Sequence, residues 1–541
     1  VAKFFIKSGI TLLIPFLLSC GSSSSTQEFT IEVNVKGLDG KLVVTNNDEN
    51  EFEIEKNGTF TFKASLPTNN KYSLEIEDQP CKQRCIIDDS AGKIPSSLLT
   101  KVSIDCTEKS WSHPDSTSDR INPDFGKIYA HKVAMNKKGD IIVVWNQLGK
   151  LYKSEYRNRK WSHPQNLSNN FNPQGPSVNS EDFDVDMDDD GNIVIVWNQS
   201  DLDVVRVYRS EYRNQKWIHP TSLIDSISAV GIYTYAAKVD MNQKNEAIIA
   251  WHVIGGGAYQ THYKNGDWKD VAVVPGIFAS TALALNDNSN AFITNRNQVG
   301  LLFELPVVKS NLGGGWSSPV TVSDHTGFDE TNVWLHGIAS NVKKTHIAWE
   351  QPRTDNTGRY FIRVSDFVGG SWTNPQILSD TSLVASFGGI SSNNDGKAVI
   401  VWSQTNIPDS WSRIFMSEYL NNVWGNQVNV SSNVSTFNGY SMQSDPKVSV
   451  DEQGNVLIVW RSFHMDTVPE PDVTYYDAYK SEYRNGHWTF PDSVNDKFNF
   501  EGGYYAAEHQ VDSSNCRSVA VRSRSFDEDD THTYLFVSVY D

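Results

Sequence analysis

A chain of 541 residues is long enough for two or more domains with sizeable cores. Its net charge of -18 repels phosphate backbones, so nucleic acid is not an expected partner. Ala-rich stretches of helical period are absent; short β-branched and aromatic runs between Asn, Gly, Asp and Ser clusters predict an all-β protein.

The chain opens with Lys3 and Lys7, followed by an apolar run over 10–18. That run is too short to span a bilayer as a mature helix and has the proportions of a secretory signal. It ends in Leu17-Leu18-Ser19-Cys20-Gly21, which resembles the lipobox of bacterial lipoproteins. The resemblance implies a signal peptide over 1–19, cleavage before Cys20, acylation of its thiol, and a lipidated tether over 20–27. Several acyl chains would give stable anchoring, so a membrane is an expected partner. No Asp follows Cys20. By resemblance to Gram-negative sorting patterns this places the protein in the cell envelope at the outer membrane, with surface or periplasmic display left open.

Five cysteines are present. Besides Cys20, Cys85 and Cys106 bracket the end of a small domain and are expected to pair in an oxidising compartment. Cys81 and Cys516 could pair or remain free. Zinc at Cys81-x₃-Cys85 lacks a nearby histidine, and no metal or cofactor is predicted.

Residues 28–107 read as six or seven short strands. The run 29–35 alternates cleanly, and 42–44, 52–54, 59–62 and 72–76 follow between turn residues. Gly37-Leu38-Asp39-Gly40-Lys41-Leu42, then Asn57-Gly58-Thr59-Phe60, then Gln79-Pro80, Cys85 and Cys106, is similar to a small β-sandwich module of bacterial surface lipoproteins. The resemblance implies a spacer without a catalytic role.

From 108 to 541 the dominant signal is a long repeat. Trp111, Trp161, Trp217, Trp268, Trp316, Trp372, Trp424 and Trp488 recur at intervals from 48 residues (268 to 316) to 64 (424 to 488). Such a period marks a stacked or ring-shaped architecture. The clearest unit holds 131–135, a polar turn, Ile141-Ile142-Val143-Val144-Trp145, then 151–158 and 160–164. Sister second strands end in Trp197, Trp251, Trp349, Trp402 and Trp460. A strand apolar on both faces must be covered on both, as radially stacked blades would do. The last unit offers three strands, 508–512, 518–522 and 533–540. The isolated strand at Trp111 is expected to supply its fourth. The expected fold is therefore a β-sandwich followed by an eight-bladed β-propeller closed by an N-terminal strand. Seven blades would result if the degenerate unit with 281–285 and 291–295 failed to form, and an open solenoid is the other architecture.

Ser154-x-Tyr156-x-Asn158-x-x-Trp161 recurs at Ser210, Ser417 and Ser481, and as Ser365, Phe367, Gly369 and Trp372. The spacing is similar to the Asp-box of sialidase-like propellers, Ser-x-Asp-x-Gly-x-x-Trp, with an aromatic at the Asp position. In that family the box is a folding element remote from catalysis, so the resemblance speaks to fold.

Function is sought on the loops joining successive units, where Asn, Ser, Asp and Gly surround many aromatics. The ligand-binding candidates are Tyr233, Tyr235, Trp334, Phe437, Tyr440, Tyr504 and Tyr505, which could stack on sugar rings or bury peptide side chains. His336 and His509 join them from a predicted ring at the inner-strand mouths that also holds Lys132, Asp184, Lys238, Ala282, Gly389 and Lys447. The loops 464–472 and 527–530 are further candidates. Catalytic templates fail: no arginine trio of a sialidase, no Gly-x-Ser-x-Gly and no phosphate loop appear. Asp186-x-Asp188-x-Asp190-Gly191 resembles a calcium loop without its later acid and reads as a hairpin turn. The sequence therefore points to a monomeric, lipid-anchored binding protein for a glycan or protein ligand. A sialidase-like glycoside hydrolase with a divergent site and an outer-membrane assembly scaffold are the alternatives.

Overall fold

The computed structural model describes residues 27–47, 50–66, 71–93, 99–123, 126–168, 178–201, 204–229, 233–277, 281–295, 297–299, 302–322, 333, 336–353, 359–406, 411–434, 442–466, 473–498, 505–525 and 532–541. They fall into two compact units, Val1–Glu108 and Lys109–Asp541. Cys20 lies outside the described residues.

Among its described residues the first unit holds eight strands, more than the six or seven expected. One sheet runs Gly58–Leu66, Gln27–Lys36, Leu99–Glu108, Gln83–Asp88, and the other Asn50–Ile54, Leu42–Asn46, Lys71–Asp78, Ala91–Lys93. The alternation read in 29–35 puts Ile31, Val33 and Val35 in a core with Leu42, Val44, Leu74, Val102 and Ile104. Cys85 and Cys106 face each other in register and form a disulfide, which removes Cys85 as a zinc thiolate. Gly37 (φ 72°) permits the close turn beneath this pair: a Cβ there would sit 2.2 Å from the Cys106 carbonyl oxygen.

The second unit is an all-β, propeller-like fold of antiparallel sheets. Sheet 1 is Ile128–Met135, Ile141–Gln147, Lys150–Arg157, Lys160–Trp161. Sheet 2 is Val178–Met187, Ile193–Asp201, Val204–Arg213, Lys216–Ile218, and sheet 3 is Thr234–Met241, Ala247–Val253, Gly257–Lys264, Asp267–Trp268. Sheet 4, the degenerate unit, forms from Thr281–Leu285, Asn290–Asn295, Pro306–Asn311 and Val320–Thr321. Sheet 5 is His336–Ser340, Thr345–Pro352, Tyr360–Val368, Ser371–Trp372, and sheet 6 is Val384–Ser392, Ala398–Asn406, Trp411–Leu420, Val423–Trp424. Sheet 7 is Met442–Val450, Val456–Asp466, Val473–Arg484, His487–Thr489. Sheet 8 joins Tyr505–Ser514, Arg517–Ser525 and Thr533–Tyr540 to Trp111–Ser112, with Trp111 opposite Tyr540. Each first strand lies beside the first strand of the next sheet, and that of sheet 8 beside that of sheet 1.

The all-apolar second strands are buried throughout, and Trp145, Trp197, Trp349, Trp402 and Trp460 are fully covered. Each of those indoles except Trp349 stacks on a third-strand aromatic, as Trp145 does on Tyr152 (5.7 Å). Four of them donate Nε1–H to a Gln two residues on, from Trp402 to Gln404 at 2.8 Å to Trp145 to Gln147 at 3.3 Å.

Every part of the Ser-x-Tyr-x-Asn-x-x-Trp motif has a mechanical task. Ser154 Oγ donates to the Ser162 carbonyl at 2.8 Å, and Ser365 and Ser417 do the same in their sheets. Tyr156 packs on Trp161 at 5.2 Å. Asn158 and Arg159 both have positive φ, 47° and 64°, as a two-residue hairpin turn requires.

The tryptophan then reaches across to the preceding sheet. Trp217 Nε1–H donates to Glu155 at 2.8 Å, Trp268 to Glu211 at 3.0 Å, Trp424 to Asp366 at 3.1 Å and Trp111 to Glu482 at 3.1 Å. At three of these joints a cation lies over the same ring: Lys153 on Trp217 (3.9 Å), Arg209 on Trp268 (4.0 Å) and Lys480 on Trp111 (5.3 Å). A second one, Arg157, Arg213 or Arg484, covers the next sheet's aromatic ring. The basic-x-acid-x-Arg stretch of one sheet thus grips the outer edge of the next.

Candidate functional site

Two ends of the second unit differ in chemistry. At one end the turns between first and second strands close with an Asn or Asp side chain. Asn136 Oδ1 accepts the Lys138 and Asp140 amides, and Asp188 takes Asn192 in the same way. Asp186 lies at the end of a strand and residues 188–191 are a hairpin turn, the reading the sequence favoured over a calcium loop. These turns surround a cavity of about 390 Å³ lined by residues of all eight sheets, Asp186, Asp240, Glu452 and Asp512 among them.

The carboxylates of this cavity are structural acceptors. Asp186 takes the Met241 amide (2.7 Å), Asp240 the Leu285 amide (2.7 Å) and Asp512 the Met135 amide (2.8 Å). Each joins one first strand to the next, and Asp512 does so between the last sheet and the first. Burial pushes all three carboxyls up, Asp240 and Asp512 to about 7. For Asp186 the charge of Asp240 and a hydrogen bond to it add to burial. Among the described residues no cluster of His, Cys, Asp and Glu is arranged to hold a metal.

The opposite end carries the loops between sheets and the turns between second and third strands. Tyr233 and Ile254 meet there, the Ile254 amide donating to the Tyr233 carbonyl at 3.0 Å, and both side chains are largely exposed. Beneath them the half-buried Tyr235 packs its ring on His252 at 4.4 Å. A bulge between Tyr235 and Lys238, with Ala236 at φ 55°, turns this strand end, and Asp182 of sheet 2 accepts the Ala236 amide at 3.2 Å. Burial, with the Asp182 charge second, raises the Tyr235 hydroxyl; burial lowers His252.

The other candidates divide. Trp334, Phe437, Tyr440 and Tyr504 lie outside the described residues, as do the loop 467–472 and the run 527–530. Tyr505 begins the first strand of sheet 8, opposite Ser525. His336 and His509 were aligned one residue out of step with Lys132 and Lys238. The true equivalents are Gly337 and Gln510, since Lys132 pairs with Val144 where Gly337 pairs with Ala348 and Gln510 with Val521. A one-residue slip sends a side chain to the other face. His336 and His509 instead match His131, Phe183 and Phe387, opposite the second-strand Trp position. His131 and His509 are buried between sheets, and burial lowers each to about 3.

One buried cation escaped the sequence reading. Arg522 stands where other second strands place Trp, opposite His509 and Phe536. It is 2% exposed, donates to Ser538 Oγ at 3.0 Å, and is lowered by burial to about 9. The broken tryptophan series at 518–522 was the available signal.

No family model matches the chain, and no curated protein matches it. Among solved structures it is similar to a family PL25 ulvan lyase bound to -[GlcA(1-4)Rha3S]- at 12% identity, over 78% of this chain and 95% of that one, with a TM-score of 0.42. It is similar to the polysaccharide lyase Uly1 at 8% identity over 80% and 92%, TM-score 0.42. A third is the β-propeller domain of the Trilobed protease from Pyrococcus furiosus, at 9% identity over 68% and 98%, TM-score 0.38. Likeness at this level says nothing of activity.

Proposed function

We propose that this chain is a lipid-anchored binding protein of the bacterial envelope, an eight-bladed propeller closed by the Trp111 strand that recognises a glycan on its loop face without cleaving it. Closure is supported by the pairing of Trp111–Ser112 with Val539–Tyr540 and by the seam from Asp512 to Met135. Anchoring rests on the lipobox at Cys20, and labelled palmitate incorporation lost in Cys20→Ala would support it. The observation that carries the binding reading is the exposed Tyr233–Ile254 patch above Tyr235, His252 and Asp182. The exposed Tyr233 ring offers a flat face to a sugar's C–H groups, with the Tyr235–His252 pair next to it along the same strand end. The cavity carboxylates favour binding over hydrolysis, because each already accepts a backbone amide of a neighbouring sheet.

The test is a glycan panel followed by titration calorimetry. A bound oligosaccharide should lose about 10-fold in affinity on Tyr233→Ala, with the far-UV spectrum unchanged. Turnover of any panel member, abolished by one carboxylate substitution, would overturn the binding-only reading in favour of the hydrolase.

A further inference from the structure

The grip between sheets is missing on both sides of sheet 4. Where sheet 1 has Glu155 opposite Ile142, sheet 3 has His262 opposite Ile248 and sheet 4 has Lys309 opposite Phe292. Where sheet 1 has Lys153 opposite Val144, sheet 4 has Val307 opposite Thr294. Trp372 of sheet 5 therefore faces a partner with neither the cation nor the carboxylate that hold Trp217, Trp268 and Trp111. The joint from sheet 8 to sheet 1 also lacks both, with Val537 and Val539 at those places, but there the valines pack in one cluster with Trp161. At the Trp372 joint a cavity of about 700 Å³ opens, lined by Val307, Lys309, Val320, Phe367, Trp372 and Asn374 among others. The previous joint, with His262, also has a cavity, of about 550 Å³.

Among the described residues the Lys309 ammonium has no ion pair, and it lies 4.9 Å from the Phe367 ring centre. The half-buried Trp372 is held edge-on by Phe367 at 5.3 Å and Phe292 at 6.3 Å, and among the described residues its Nε1–H has no acceptor. The intact joints show what fits beside such an indole: a carboxylate at the N–H and a group across the ring face. In this wedge the carboxylate must come from outside, and Lys309 replaces the residue that would have repelled it.

We infer that the wedge between sheets 4 and 5 binds a uronate unit of an oligosaccharide, its carboxylate between Lys309 Nζ and Trp372 Nε1–H and its ring on the open indole face. This rests on the glycan-binding reading. Ser371 and Asn374 lie around the cavity for the sugar's own hydroxyls, while the Ser317 and Thr373 hydroxyls already accept the Lys309 and Asp366 amides; an uncharged body on the valines and rings suits a short oligosaccharide better than a polyanion facing a chain of net charge -18.

The probe is a glucuronate-containing disaccharide compared with its carboxyl-reduced form, titrated against the full chain with tryptophan fluorescence as readout. The acidic form should bind about 10-fold or more tighter than the neutral one. Lys309→Gln should erase that difference. The double variant Val307→Lys, Lys309→Glu rebuilds the missing grip; it should keep the fold, gain stability and lose the probe. Tyr233→Ala should leave wedge binding unchanged, which separates this site from the loop face. Equal binding of the two forms, or retention of the acidic probe by the double variant, would overturn the inference while leaving the loop-face reading intact. Loss of all glycan binding in the unaltered chain would remove both.

Discussion

The joint between sheets 1 and 2 and the joint between sheets 4 and 5 are built on the same backbone plan and end in opposite states. At the first, Lys153 lies over the Trp217 ring and Glu155 accepts its N–H. At the second, Val307 and Lys309 stand at those two places and a cavity remains beside Trp372. The lesson concerns repeats in general: a unit that loses its motif does not have to lose its fold, since sheet 4 keeps four strands. What it loses is the contact between neighbours, and in a repeat architecture such interfaces carry much of the stability.

The comparison can be broken most directly by truncating both indoles. Trp217→Ala should cost about 3 kcal/mol in urea denaturation, from lost packing, the hydrogen bond to Glu155 and the Lys153 contact. Trp372→Ala should cost about 1–2 kcal/mol; equal losses would show that the grip does not distinguish the joints.

A smaller effect is expected from the acid of the grip alone. Glu482 is 9% exposed and pairs with Lys480 and Arg484, the Arg484 Nε at 2.8 Å. Burial pushes its carboxyl up, but the two cations outweigh burial and hold it below the usual value. Glu482→Gln should lose about 2 kcal/mol at pH 7. The loss should shrink as pH falls through the lowered carboxyl value, because a depressed acid stabilises only while ionised. A pH-independent loss would mean that packing, not charge, holds Trp111.

The inner carboxylates have the opposite sign. Asp240 and Asp512 rise to about 7 in the fold, so the folded chain holds protons that the unfolded chain releases. Their contribution should be most favourable below about pH 4, fade as pH rises toward 7, and then stay level. Asp512→Asn should flatten that limb of the melting curve; an unchanged limb would exclude Asp512 as its source.

The least effect should come from His509→Phe. Phe183 and Phe387 occupy the same register in sheets 2 and 6, and neither ring nitrogen of His509 has a hydrogen-bond partner. Removing that buried polar group should add about 1 kcal/mol. It should also weaken acid denaturation between pH 6.5 and about 3, where a histidine lowered to about 3 loses its contribution. Destabilisation would show that sheet 8 needs the imidazole.

Much of this architecture was legible before any coordinates. The all-apolar second strands demanded cover on both faces, and the Asn turns, the Ser-x-Tyr-x-Asn-x-x-Trp hairpins and the Cys85–Cys106 pair are local chemistry at short sequence distance; the tryptophan contacts to the preceding sheet are not. The extra strands at Gln83–Asp88 and Leu99–Glu108 were harder to read, since polar residues interrupt them. His336 and His509 were misplaced because alternation is weak in first strands and a bulge between Ala506 and His509 shifts the count by one. A bulge leaves no mark in composition.

By itself, then, the order of residues determined the repeat, the strand pattern and the turn chemistry, because these depend on neighbours along the chain. Only the tertiary structure decided which acids are free for chemistry and where space remains. Asp186, Asp240 and Asp512 are consumed by amides from other sheets, and the wedge at Trp372 exists because of residues 63 and 65 positions earlier, Lys309 and Val307. Such facts belong to contacts between distant segments, which no local pattern encodes.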